Sequence, residues 1–327
     1  MSKSLDQPHR RHGKSFRGAS VVLGLAALLG VLPAAGCSKQ MRLARARSAA
    51  TERVEALGGT LSYDFDALEI KAPDRATGVA LVAFAGHPVD DAALVRADLA
   101  GLGAVYGLDL RDSPVTDASL NRLSALVELQ RLVLSRTHIT DDGLLAAAGL
   151  KALRSLALAG TSITGAGLGH LRELPNLETL ELEHTAIDGR GLEQLQASRG
   201  TLHELRLDHT QVDDRGVAAL SQLTGLRVVS LAGVRVTNRG LEPLRGLREL
   251  RSLCLDGTEV EAAGLAALAQ LPHLEELTLD DTSVGDDAVP HFARMTSLKL
   301  LSLVGTSLSR GAVDSLRRAL PDTEIRY

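Results

Sequence analysis

The strongest constraint on this chain is a 24-residue period. Residues 126–149 read LVELQRLVLSRTHITDDGLLAAAG, and the next 24, LKALRSLALAGTSITGAGLGHLRE, return to the same columns. Nine units open at Leu102, Leu126, Leu150, Leu174, Arg199, Leu223, Leu247, Leu271 and Met295, the fourth one residue longer within Gln196–Gly200. A degenerate unit of 26 residues precedes them, with Val79, Val82, Phe84, Val89 and Leu94 in the expected columns. A chain built this way grows by stacking units, each covering its neighbour, and not by enlarging one core.

The columns define the unit. A Leu-x-Leu pair recurs as Leu108/Leu110, Leu132/Leu134, Leu156/Leu158, Leu180/Leu182, Leu205/Leu207, Val229/Leu231, Leu253/Leu255, Leu277/Leu279 and Leu301/Leu303. Alternation at period two predicts a short strand with one face buried. Three residues after the pair comes Thr137, Thr161, Thr185, Thr210, Thr258, Thr282 or Thr306, with Ser113 and Val234 departing. Where the chain leaves the strand its backbone groups lose their sheet partners, and a hydroxyl can satisfy them. Val234 has none, so its turn should be the least well satisfied. An aliphatic follows two positions on, from Val115 and Ile139 to Leu308. Next come an N-cap residue such as Thr140 and a Gly-Leu pair such as Gly143-Leu144 that opens a short amphipathic helix.

Each unit therefore reads strand, turn, short helix, return. Parallel strands stack about 4.8 Å apart and helices about 8–10 Å apart. The sheet must take the inner curve and the helices the outer. These columns resemble the leucine-rich-repeat family, in a bacterial-type variant with Thr where many members carry Asn or Cys. The resemblance implies an α/β solenoid, a horseshoe with parallel strands on the concave face and short helices on the convex face. It covers residues 79–327, ending in a closing strand at Leu320–Ile325.

Residues 37–78 form a linker, a helix over Ala44–Leu57 stopped by Gly58-Gly59, and a cap hairpin of Thr60–Phe65 with Ala67–Ala72. Tyr63, Phe65 and the terminal Tyr327 suit caps over the open ends of a stacked core. Aromatic residues make up only 2% of the chain and Trp is absent, so the core must be aliphatic.

Residues 1–36 read as a leader. A basic segment precedes an uncharged run, Val21–Leu32, whose 12 residues are short for a membrane span of about 20. The Ala35-Gly36-Cys37 ending resembles a bacterial lipoprotein signal, in which the cysteine becomes the first mature residue and carries lipid. Ala34 stands where that family usually has Leu, and Pro33 is unusual. Ser38 replaces the Asp of inner-membrane retention, which implies the outer membrane. Ordinary signal cleavage near Ala34–Gly36 is the other reading. The following cluster of Arg42, Arg45 and Arg47 suits either anionic lipid headgroups or a solvated helix face. Cys37 and Cys254 lie far apart and imply no disulfide framework.

The net charge is −4. The leader holds Lys3, Arg10, Arg11, Lys14 and Arg17 against Asp6 alone, so the remainder is more acidic still. A surface of that sign is a poor ligand for phosphate backbones, which argues against nucleic acid. By register, the concave face begins basic at Arg111, Arg131 and Arg136. It then turns acidic at Glu181, Glu183, Glu204, Asp208, Asp256, Glu276 and Asp280, with Arg206 among them. Such a face would steer a basic segment of a protein or peptide partner. His184 and His209, following Glu183 and Asp208 in neighbouring units, could in principle hold Zn²⁺ or stand as adjacent surface residues. Gly101-x-Gly103 precedes a strand, so it is no dinucleotide loop. No phosphate loop, zinc-protease helix or nucleophile elbow occurs, and no cofactor is implied.

These features together predict a monomeric, non-enzymatic protein-binding scaffold of the bacterial cell envelope. It would be exported, tethered through Cys37 as an outer-membrane lipoprotein, and would bind on the concave face at the residues named above. The alternatives are a secreted or periplasmic protein, and a surface adhesion protein holding wall or glycan components.

Overall fold

The computed structural model describes residues 34–68, 70–72, 78–84 and 86–327. The basic segment and apolar run of the expected leader lie outside the described residues. Among the described residues no helix is long and apolar enough to cross a membrane. The chain divides into two units, Met1–Arg45 and Ala46–Tyr327. A helix, α1 (Ala34–Ala56), begins ten residues earlier than its composition predicts.

The larger unit is a repeat solenoid. Twelve strands lie in sequence order in one sheet, from β1 (Thr60–Ser62) and β2 (Leu81–Ala83) to β11 (Leu300–Ser302) and β12 (Glu324–Arg326). From β2 onward every pairing is parallel, in one unbroken register: Arg131 faces Ser155, which faces Thr179, then Glu204, Val228, Ser252, Glu276 and Leu300. Both members of each Leu-x-Leu pair are buried, with at most 1% exposure. Each such side chain contributes roughly 1.5–3 kcal/mol, which makes this ladder the backbone of stability. The return segments are short stretches of α- or 3₁₀-helix, such as Asp214–Leu220 and Gly167–Glu173, with Leu168, Leu171, Val217 and Leu220 buried.

The Thr column works locally. The hydroxyls of Thr137, Thr161, Thr185, Thr210, Thr258 and Thr282 each donate to the carbonyl oxygen three residues back, at 2.6 Å, and Thr306 does so at 2.7 Å. The acceptor is always the second residue of the Leu-x-Leu pair. Ser113 departs from this, its hydroxyl accepting from the Val89 N–H at 3.3 Å. Val234 is 3% exposed in the same column and leaves the Leu231 carbonyl without a hydroxyl.

The residue before each of these turns has positive φ. Asp112, Arg136, His184, His209 and Asp281 lie between +55° and +60°, and Gly160, Gly233, Gly257 and Gly305 between +63° and +72°. A left-handed residue is what redirects the chain out of the strand, and Asp, His and Gly tolerate it better than most residues.

A second ladder ties the helix starts together. Asp91, Asp117, Asp141 and Asp214 each accept from both the backbone N–H and the hydroxyl of the next unit's capping Thr: Thr116, Thr140, Thr164 and Thr237. Asp286 does the same for Ser309. Gly165 and Gly189 interrupt it, and there the backbones close in. A Cβ on Gly165 would lie 2.8 Å from Gly191 Cα.

The cap departs from the expected hairpin. β1 pairs antiparallel with β2, Leu61 facing Val82, and not with Ala67–Ala72. An Asp64 side chain accepting from Ala67 N at 2.9 Å turns the chain just after the strand. Phe65 then packs edge-on against Tyr106, with ring centroids 5.7 Å apart, in a small cluster with Ile70 and Ala80. Alternation across residues 60–65 thus spans a strand and a turn. At the other end β12 closes the sheet, Ile325 facing Leu301, and Tyr327 donates its hydroxyl to Leu308 O at 2.9 Å.

Candidate functional site

Three rows of side chains make the strand face. The first, in β-register, holds Arg131, Glu204 and Glu276; the second holds Asp109, Glu181, Arg206 and Cys254; the third holds Arg111, Glu183, Asp208, Asp256 and Asp280. Arg136, His184 and His209 occupy the left-handed exit position immediately after. All the residues read from the sequence therefore fall on one side of the sheet or at its rim.

The expected basic end is largely neutralised. Arg111 is bound to Asp109 at 2.7 Å, a pairing that holds its guanidinium above the usual arginine range. Arg136 clamps Asp112 through two hydrogen bonds of 2.5 and 2.8 Å. Farther along, Arg206 pairs with Glu204 at 2.7 Å.

Several of the expected ligand carboxylates serve the fold. The third-row N–H groups fall outside the strand ladder. Asp208 accepts from Ala232 N at 2.7 Å and from the Ser230 hydroxyl at 2.5 Å. Asp256 accepts from Asp280 N at 2.9 Å, and Asp280 from Val304 N at 2.8 Å. Glu276 accepts from the Ser252 hydroxyl at 3.0 Å. Composition alone hides this use, because each bond joins residues in successive units.

Glu181 and Glu183 stand apart. Burial pushes the Glu183 carboxyl up, and the charges of Glu181 and Asp208 push it further. Its Oε2 is enclosed with no hydrogen-bond partner, which among the described buried side chains is shared only by Arg53 Nε and Thr278 Oγ1. Beside it the His184 and His209 rings stack, centroids 4.6 Å apart and 17° from parallel. Among the described residues no three His, Cys, Asp or Glu side chains are grouped to hold a metal ion. The stack follows from the left-handed column, which brings side chains of neighbouring units face to face. His209 in turn lies over Gly233, where an added Cβ would come within 2.3 Å of Nδ1.

Cys254 is half-buried, and burial raises its thiol above the ordinary range, with Asp256 adding to the effect. A nucleophilic thiol needs the opposite shift. Two shallow hollows among the described residues lie off the strand face. One is lined by Ala100, Gly103, Ala125 and Val127, the other by Thr164, Gly165, Asp188 and Gly191.

Comparison with known proteins agrees with this geometry. Residues 127–187 match a family described as leucine rich repeat, and residues 201–221 match a second of the same description. An internalin C2 of Listeria monocytogenes is similar in structure, at 25% identity and a TM-score of 0.50, covering 68% of this chain and 84% of that one. An internalin (inlF) of the same species is 18% identical, with a TM-score of 0.43 and coverage of 76% and 86%. No curated protein matches by sequence. With twelve strands in register, a buried aliphatic ladder and both family matches on the same units, the chain is a leucine-rich-repeat protein.

Proposed function

We propose that this protein is a non-enzymatic binding scaffold of the bacterial cell envelope, held through a lipid on Cys37, whose strand face receives a basic segment of a protein partner. The observation that carries the binding reading is Glu183, a half-buried carboxyl pressed by like charges, with one oxygen unsatisfied. An enclosed carboxylate oxygen without a hydrogen-bond partner costs stability in the free protein, though the Glu183 N–H and the Arg206 charge offset part of it. A guanidinium or ammonium group from a partner would satisfy Glu183 and Glu181 together. Similarity to an internalin supports a scaffold role.

The test is crosslinking pull-down from the native envelope with Glu181→Lys/Glu183→Lys. Asp208 is left intact because its carboxylate holds Ala232 N. Loss of partner recovery, with the unfolding midpoint kept, is the expected result. Unchanged recovery would move the binding surface elsewhere, and recovery of glycan in place of protein would favour an adhesion role. The tether is tested separately by metabolic labelling with a fatty-acid probe: label that survives Cys37→Ser removes it.

A further inference from the structure

We infer that the N-terminal half of α1 is a second membrane contact, lying on an anionic lipid surface. The inference rests on the reading that the chain is anchored through Cys37. Its own support is the helix. From Ala34 to Thr51 the helix sequence contains Lys39, Arg42, Arg45 and Arg47 and no acidic residue; Glu52 is the first. Residues 40–46 are all exposed, among them Met41 at 53% and Leu43 at 61%. Arg47 is held differently, its guanidinium over the Tyr63 ring at 5.9 Å and donating to Gly78 O at 3.4 Å. That tie belongs to the solenoid unit, whereas Arg42 and Arg45 precede it.

Chain order selects the occupant. Along a helix rising 1.5 Å per residue, Arg42 lies about 8 Å and Arg45 about 12 Å from Cys37, comparable with the screening length of about 8–10 Å. A lipid on Cys37 would therefore hold both guanidiniums within reach of headgroup charge. Met41, four residues before Arg45 and so on the same helix face, would meet the interface between headgroup and acyl chain.

The chain contains no tryptophan, so Met41→Trp in the full chain makes a sole reporter on the Arg45 face of the helix. Its emission should shift to the blue on vesicles of phosphatidylcholine with phosphatidylglycerol, stay unshifted on phosphatidylcholine alone, and return on raising salt. Each basic side chain near such a surface is worth roughly fivefold in affinity. Adding Arg42→Gln/Arg45→Gln should therefore weaken the lipid titration by about 25-fold. Equal emission on the two vesicle types, or an unchanged titration with the double variant, overturns the inference. A shift on polyglutamate but not on vesicles overturns it as well, assigning the helix to an acidic polypeptide. Pelleting with pure phosphatidylcholine reads the anchor alone. A chain that stays in solution there but shifts on the anionic vesicles loses the anchor and keeps the helix contact.

Discussion

Val234→Thr should stabilise the protein by about 1 kcal/mol, the net value of one buried hydrogen bond. Six equivalent threonines, 4–8% exposed, donate to the carbonyl three residues back at 2.6 Å. At Val234 the same carbonyl, that of Leu231, receives no hydroxyl, while the preceding Gly233 has the left-handed conformation common to the column. Thr has nearly the shape of Val, so no cavity or overpacking arises. The new hydroxyl would be buried with its acceptor already in place, which avoids the desolvation penalty of an orphaned polar group. The reciprocal change, Thr185→Val, removes the donor and should cost about the same. Urea unfolding monitored by far-ultraviolet circular dichroism gives both signs in one experiment. The thermal midpoint should move about 2–4 °C in each direction. If Val234→Thr is neutral and Thr185→Val costs nothing, the hydroxyl adds nothing to the left-handed turn, and this account of the column is wrong.

Three further outcomes follow from the strand-exit rim, the acidic pair and the ladder at the helix starts. Gly257→Ala, at φ +63° with its nearest heavy atom 3.9 Å away, should cost about 1 kcal/mol of backbone strain. Gly233→Ala, at the same φ but 2.3 Å from His209 Nδ1, should cost more, and adding His209→Ala should return it to the Gly257→Ala value. The Glu183 carboxyl is raised in the folded state, so folding stability falls as pH climbs from the unfolded carboxyl range through the folded value. Glu183→Gln should therefore stabilise at pH 7 and lose that advantage in acid, and an effect independent of pH would refute the burial argument. Asp91 shifts the other way. Burial opposes its charge, but bonds from Ser119 and Thr116 prevail and hold the carboxyl below its usual range. Its stabilising contribution is thus present at neutral pH and lost as pH falls through the lowered value, and Asp91→Ala should flatten that acid limb of the stability profile.

The repeat was legible because identity within a column survives in one dimension. Leu108 and Leu110 need only alternate, and every unit repeats them, so burial and strand direction could be read without coordinates. What stayed hidden is contact between columns in successive units. Asp117 and Thr140 are 23 residues apart, and Asp256 reaches the backbone of Asp280 across 24. Neither carboxylate differs in sequence from one left free in solvent, which is why Asp208, Asp256 and Asp280 read as ligand groups while serving the ladder. The cap hairpin failed for a related reason: Tyr63 and Phe65 keep the spacing of a strand past Ser62, where Asp64 has already turned the chain. The left-handed column was visible as Gly160, Gly233, Gly257 and Gly305, but Arg and His in the same column masked it.

That column also separates what the fold requires from what it permits. His tolerates φ near +57° with less strain than most non-glycine residues, and glycine costs roughly 0.5–1 kcal/mol more than other residues in lost chain entropy. The two nearly cancel, so stability is almost indifferent between His and Gly at residues 184, 209, 233 and 257. The side chain there is free to vary, it projects to the rim of the strand face, and it falls at successive strand spacings. Stacked His184 and His209 occupy the column next to Glu183, whose Oε2 has no hydrogen-bond partner. A partner seated on Glu181 and Glu183 would meet those rings at its edge. Replacing both histidines with glycine should then change binding far more than it changes the unfolding midpoint, whereas a purely structural stack would move the two together.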